Sequence, residues 1–183
     1  MILRVFVTFL LSFLGTFLTA QRVQEKDLLG KINPKTHADF VLVDKKHTHN
    51  REIYLRKETY QAFLAMAQAA QKEGIDFKII SGFRSFEHQK NIWEAKWTGK
   101  RNSGKTNFLK SYPNPQDRSK AILRYSSMPG TSRHHWGTDI DLNSLENSYF
   151  ETSQGKKIYQ WLLDHAPKYG FCQPYTVKNN LRP

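Results

Sequence analysis

The decapeptide SRHHWGTDID at residues 132–141 gathers two histidines and two aspartates around one glycine. Imidazole and carboxylate are hard-to-borderline donors suited to Zn²⁺. If His134 lies on the approach to a strand and Asp141 near its end, a curved loop–strand could aim both at one ion. Gly137 between them would let the backbone turn close to that ion without a Cβ clash. Asp139, two residues before Asp141, would face the same side of a strand, as an alternative ligand or as a partner orienting an imidazole. By spacing alone ordinary capping and hydrogen-bonding roles outweigh a metal site, since His-x6-Asp is a common spacing. A lone Cys172 excludes a disulfide framework and any cysteine-rich metal knuckle.

A second pentapeptide, Ser81-Gly82-Phe83-Arg84-Ser85, follows an apolar strand-like run and opens a helix. A guanidinium fork pairs bidentately with a carboxylate, and a helix N-terminus adds N–H donors for an anion. Arg84 is therefore a candidate receptor for a substrate's terminal carboxylate, with an ordinary salt bridge as the alternative.

These motifs need elements to hold them. Tyr60, Phe63, Leu64, Ala67 and Ala70 recur at helical spacing and predict a helix over Glu58–Glu73, stopped by Gly74. Asp76–Ile80 reads as a strand. Phe86–Trp97 reads as a second helix capped by Ser85, and Gln154–His165 as a third. Phe40–Val43 is a plausible short strand, and Gly137–Leu142 alternates like another. Thr98–Gln116, with two glycines and two prolines, predicts a long loop, and Asp117–Tyr125 a short helix. The pattern is α+β: a small antiparallel sheet flanked by helices.

The 183 residues suffice for one domain with a real core, and 13% aromatic content excludes a disordered chain. Met1–Ala20 differs from the rest: Arg4 precedes a 14-residue apolar run that ends at Leu18-Thr19-Ala20. This is the form of a cleaved secretory signal and short for a membrane span. The expected organisation is a signal peptide at 1–20, an N-terminal arm at 21–50 and the main domain at 51–183. The net charge is +12, and between Lys96 and Arg124 eight basic residues meet one acid, Asp117. An anionic partner or a merely solvated loop would both explain that block. For an exported protein, wall polymers or anionic lipids replace nucleic acid as the expected anion.

Ser-Gly-Phe-Arg-Ser, followed by Ser-x-His-x-x-Gly-x-x-x-Asp, resembles the VanY-type D-alanyl-D-alanine carboxypeptidases. These are zinc peptidases of a wider group with VanX-type, lysostaphin-type and hedgehog domains. The resemblance covers residues ~30–183. It implies that His134 and Asp141 are zinc ligands on the face of the sheet, that Arg84 binds the substrate carboxylate and stabilises charge near the cleaved bond, and that Ser132 hydrogen-bonds the same end. It implies a monomeric exported enzyme acting on the peptidoglycan stem peptide, with no nucleic acid and no stable membrane insertion once the signal is removed. His135 and Trp136 fall at variable positions, His135 best read as a packing residue, whereas Asp139 replaces the small residue usual there. The family closes its site with Glu-x-x-His or Glu-x-Trp-His, the Glu as general base and the His as third ligand. Neither form occurs after Asp141, where His165 is the single histidine, so the expectation is a domain cut short of that motif. An endopeptidase and a non-catalytic zinc- or wall-binding module remain the alternatives.

Overall fold

The computed structural model describes residues 24–174; the signal-peptide reading and the last nine residues lie outside them. The described residues form six α-helices and four short strands. The first helix, α1 (Glu25–Leu28), precedes strand β1 (Phe40–Leu42), which pairs antiparallel with β2 (Tyr54–Arg56) in the register Val41 to Leu55. The backbone then enters α2 (Lys57–Gln71), whose Phe63, Met66 and Ala70 lie on one buried stripe. Gly74, at φ +71°, turns the chain out of that helix into β3 (Ile79–Ser81).

β3 pairs antiparallel with β4 (Asp141–Leu142), with Ser81 opposite Asp141. The expected single sheet is thus two separate two-stranded sheets. Both paired strands are shorter than the sequence predicts. Residues 137–140 stand outside the ladder: Gly137 adopts a left-handed conformation, φ +72°, and its carbonyl accepts from the Arg56 N–H of β2 at 3.0 Å.

The main core joins α2, both sheets and α6 (Ser153–His165) through Leu55, Phe63, Met66, Phe77, Ile79 and Trp161, all essentially buried. Thr152 caps α6 by accepting from the Gly155 N–H at 3.0 Å. Gly155 is required at that place: a Cβ would come within 2.0 Å of the Tyr149 carbonyl oxygen. Burial of this many aliphatic and aromatic side chains is the dominant stabilising term for a domain of such size.

The expected loop at Thr98–Gln116 is instead a helical insertion with a small core of its own. It contains α4 (Phe108–Ser111) and the start of α5 (Pro115–Leu123), which begins two residues before the predicted Asp117. Asn114 caps α5 through Oδ1, and Pro115 sits in the first turn, where its missing N–H costs nothing. Phe108, Ala121 and Ile122 pack against Trp93 and Trp97 of α3 (Phe86–Trp97). Arg118 fastens the insertion, donating to the carbonyls of Tyr112 at 3.0 Å, Pro113 at 2.8 Å and Trp97 at 3.4 Å, with its guanidinium 4.6 Å from the Trp97 ring centroid.

Candidate active site

Two chain segments docked against each other make the site. The first runs from β3 through Arg84 into α3; the second is the 3₁₀ turn Arg133–Trp136 with the approach to β4. Main-chain bonds set their register: the Arg84 N–H donates to the His134 carbonyl at 3.0 Å. His134 Nδ1 lies 2.8 Å from the Gly82 carbonyl oxygen. A carbonyl only accepts, so Nδ1 carries the hydrogen and Nε2 is the nitrogen free to bind a cation. That Nε2 lies 3.3 Å from Asp141 Oδ2. The same carboxylate oxygen stands 4.0 Å from Arg84 Nη2. The structure therefore brings His134, Asp141 and Arg84 together.

Arg84 is held from behind. Its Nη1 donates to Gln89 Oε1 at 2.9 Å and its Nη2 to Ser81 Oγ at 3.0 Å, while Gln89 Nε2 donates to the Ser127 carbonyl at 2.6 Å. Gln89 is almost wholly buried. Burial lowers the guanidinium pKa from its ordinary value; Asp141 opposes that shift and Arg101 adds to it. Gln89 was not singled out from the sequence, and Ser81 stood in the pentapeptide without a role of its own. The signal was a polar side chain in the first turn of a helix capped by Ser85, whose Oγ accepts from the His88 N–H at 3.1 Å.

The remaining residues of the motif are distributed differently. Ser132 is buried at the N-terminal end of the 3₁₀ turn. His135 is fully buried and bridges the site from within: Gly130 N–H donates to its Nε2 at 3.0 Å, and its Nδ1 donates to the Arg84 carbonyl at 2.6 Å. Burial is the largest influence holding its pKa below 6.5. Trp136 is exposed, and its carbonyl accepts from Arg56 Nε at 2.9 Å. Asp139 does not share a strand face with Asp141, because that segment is unpaired; its Oδ2 accepts from Arg133 Nε at 2.9 Å. Gly137 is needed for a neighbour other than a metal: a Cβ there would stand 2.4 Å from Phe40 Cε1.

One imidazole nitrogen and one carboxylate oxygen fit zinc in kind. They also fit in spacing, since two donors on one tetrahedral ion at about 2.0–2.1 Å stand about 3.3 Å apart. Among the described residues no group of three or more His, Cys, Asp or Glu gathers that could hold a metal ion, so these residues furnish two donors. His165 is not among them; its ring packs on Trp161, 4.7 Å between centroids.

The family model for VanY, D-alanyl-D-alanine carboxypeptidase, matches residues 52–182. The chain belongs to the VanY family. It is 31% identical over 149 residues to YodJ of Bacillus subtilis (strain 168), named as a carboxypeptidase, covering 75% of this chain and 46% of that protein. It spans about half the length, or less, of the carboxypeptidase relatives it matches. The VanY D,D-pentapeptidase of a VanB-type resistance cassette, solved with Zn(II), shares the fold at TM-score 0.55 and 21% identity, over 79% of this chain and 71% of that one. VanYB in complex with D-alanine-D-alanine does so at TM-score 0.58 and 19% identity, over 79% and 70%. The mixed helical and antiparallel fold expected from the sequence is thus the VanY fold. No helix among the described residues is long and apolar enough to cross a membrane.

Proposed function

We propose that this VanY-family chain is an exported zinc D,D-carboxypeptidase that hydrolyses the terminal D-Ala-D-Ala bond of peptidoglycan stem peptides. The observation that carries the reading is the 3.3 Å approach of His134 Nε2 to Asp141 Oδ2, with the Arg84 guanidinium 4.0 Å from that same oxygen. His134 and Asp141 would hold the zinc. When bound, zinc acts as a Lewis acid that polarises the scissile carbonyl and lowers the pKa of water.

The chain's own residues supply orientation. Gly82 fixes the His134 tautomer, so Nε2 faces Asp141 without a proton in the way. Arg84, held by Gln89 and Ser81, pairs with the free carboxylate of the terminal residue, and Ser132 would donate to the same end. A clamp for a free carboxylate selects chain ends, which makes the reaction exopeptidic. The third donor and general base implied by the resemblance, a downstream His and Glu, have no counterpart clustered with His134 and Asp141 among the described residues. VanYB's complex with D-alanine-D-alanine and the Enterococcus D-alanyl-D-alanine carboxypeptidases among the relatives support the substrate class.

The test offers the zinc-supplemented protein, in a form that carries the closing Glu and His motif, two peptides ending in D-Ala-D-Ala, one with a free and one with an amidated C-terminus. Free D-Ala should come from the first alone. Arg84→Ala should lower kcat/KM on it by about 10–100-fold, the worth of a lost charge-assisted pair. Release of larger fragments, or equal cleavage of the amidated peptide, would overturn the reading in favour of an endopeptidase.

A further inference from the structure

The eight basic residues from Lys96 to Arg124 separate in the structure into two groups. Lys96 and Arg118 are buried and serve the fold: Lys96 Nζ donates to Ser126 Oγ at 2.7 Å, and Arg118 holds three carbonyls. Lys100, Arg101, Lys105, Lys110, Lys120 and Arg124 are exposed, and Asp117 is the one acid among them. Among the described residues none of the six forms an ion pair. A merely solvated loop would carry such charges on a polar surface. This surface is not polar. Eleven large apolar side chains are exposed among the described residues, and four of them, Leu109, Leu123, Tyr125 and Met128, fall within residues 109–128.

Helix α5 brings both kinds of side chain to one face. Arg118, Ala121 and Ile122 are its buried side. At 3.6 residues per turn, Lys120, Leu123 and Arg124 fall together on the opposite side, within an arc of about 100°. All three are exposed, and Arg124 keeps the helical conformation that continues the spiral. Beside this face Tyr112, Asp117, Lys120, Ala121 and Arg124 surround a hollow of about 260 Å³. The Phe108 ring stacks on Tyr112, 6.3 Å between centroids, and meets the Tyr125 ring at 6.2 Å. The exposed Tyr125 is therefore anchored to the same small core as the hollow. Asp117 lies in the first turn of α5, where the helix dipole favours an acid. With Lys120 and Arg124 against that one carboxylate, the rim of the hollow keeps a net positive charge.

We propose that the outer face of α5 and this hollow dock the protein on an anionic lipid bilayer. The hollow seats a head-group phosphate between Lys120 and Arg124, while Leu123 and Tyr125 enter the interface beside it. The charge of the surface selects a polyanion. Its exposed apolar residues select a bilayer over a soluble phosphate polymer, which has no acyl region for a leucine to enter. Tyrosine, with an apolar ring and a polar tip, suits that boundary. The contact is peripheral, since no helix among the described residues is long and apolar enough to cross a membrane. It uses neither the metal pair nor Arg84, so it stands apart from the activity proposed above.

The test measures how the full chain partitions onto sedimented vesicles, of phosphatidylcholine alone and of equal parts phosphatidylcholine and phosphatidylglycerol. The ratio of the two partition coefficients is the readout, because the apolar run at residues 5–18 is common to every variant and meets both vesicles. The wild type should favour the anionic vesicles by about a hundredfold or more. Lys120→Gln combined with Arg124→Gln should cut that preference by about 30-fold. Lys72→Gln combined with Lys156→Gln removes the same charge from exposed positions at the end of α2 and on α6, and should cut it less than about threefold. Leu123→Gln should weaken binding to the anionic vesicles by about threefold and leave binding of soluble poly(glycerol phosphate) unchanged. All five positions are exposed, so the fold should persist in every variant. Equal losses from the two charge pairs would make net charge responsible rather than α5, and overturn the proposal. Binding of soluble poly(glycerol phosphate) as tight per phosphate as that of the vesicles, with Leu123→Gln affecting neither, also overturns it, in favour of a wall polymer.

Discussion

At the scale of single residues, the site depends on which atom each polar group is left with once its neighbours are satisfied. Gly82 occupies Nδ1 of His134 and leaves Nε2; Gln89 and Ser81 occupy the rear of the Arg84 fork and leave the side towards Asp141. Lys96 shows the cost of the same economy, a cation kept where burial disfavours it. Unfolded, it keeps its proton to about 10.5, whereas folded it releases it at about 8. Between those values the unfolded chain binds more protons, so stability should rise as pH rises through that window. The gain should be on the order of 2 kcal/mol or less, and urea unfolding of the wild type against Lys96→Met at several pH values measures it as the slope the variant lacks. A parallel pair of slopes would mean that Lys96 is as well solvated folded as unfolded. The residues of the site were legible from the sequence where they sat in one short motif, as His134 and Asp141 do. The Gly82 carbonyl was not, because its partner His134 is 52 residues away, and the roles of Ser81 and Gln89 were not, because the direction of the Arg84 fork is set only in the folded chain.

At the scale of elements, the sequence located α2, α3 and α6 to within two residues, α2 and α6 because each buries an apolar stripe and α3 because Ser85 caps its start. It did not reveal the helical insertion. Gly99, Gly104, Pro113 and Pro115 read as loop punctuation, and the short α4 and α5 take their order from packing on Trp93 and Trp97 rather than from their own pattern. The start of α5 was nonetheless written in the chain, as Asn114 followed by Pro115. Arg118 is what makes this unit cohere, because three carbonyls at the ends of α3 and α4 share its donors. Arg118→Met should keep the side-chain bulk and remove those bonds, destabilising the insertion by about 3–5 kcal/mol. Amide hydrogen exchange should speed up over residues 98–125 while the α2 and α6 amides keep their protection. Uniform acceleration across the chain would show that the insertion and the main core unfold as one.

At the scale of the molecule, the candidate metal pair exists only when the chain is folded. His134 and Gly82 are 52 residues apart in sequence, and their bond forms only because β3 pairs with β4 while Ile79 is buried in the main core. An ion that binds His134 and Asp141 together therefore binds the folded state and not the unfolded one, and by mass action it must stabilise the fold. At a hundredfold excess over its Kd, zinc should contribute about 2.7 kcal/mol. For a chain of this length that corresponds to a Tm rise of about 5–10 °C. The rise should disappear in His134→Ala and in Asp141→Asn, and magnesium, which favours an all-oxygen octahedral shell, should not reproduce it. Thermal melts of the three proteins with and without zinc decide the point with no substrate present. If the two variants retain the wild-type shift, zinc is bound elsewhere and the 3.3 Å pair is only a close approach of an imidazole and a carboxylate.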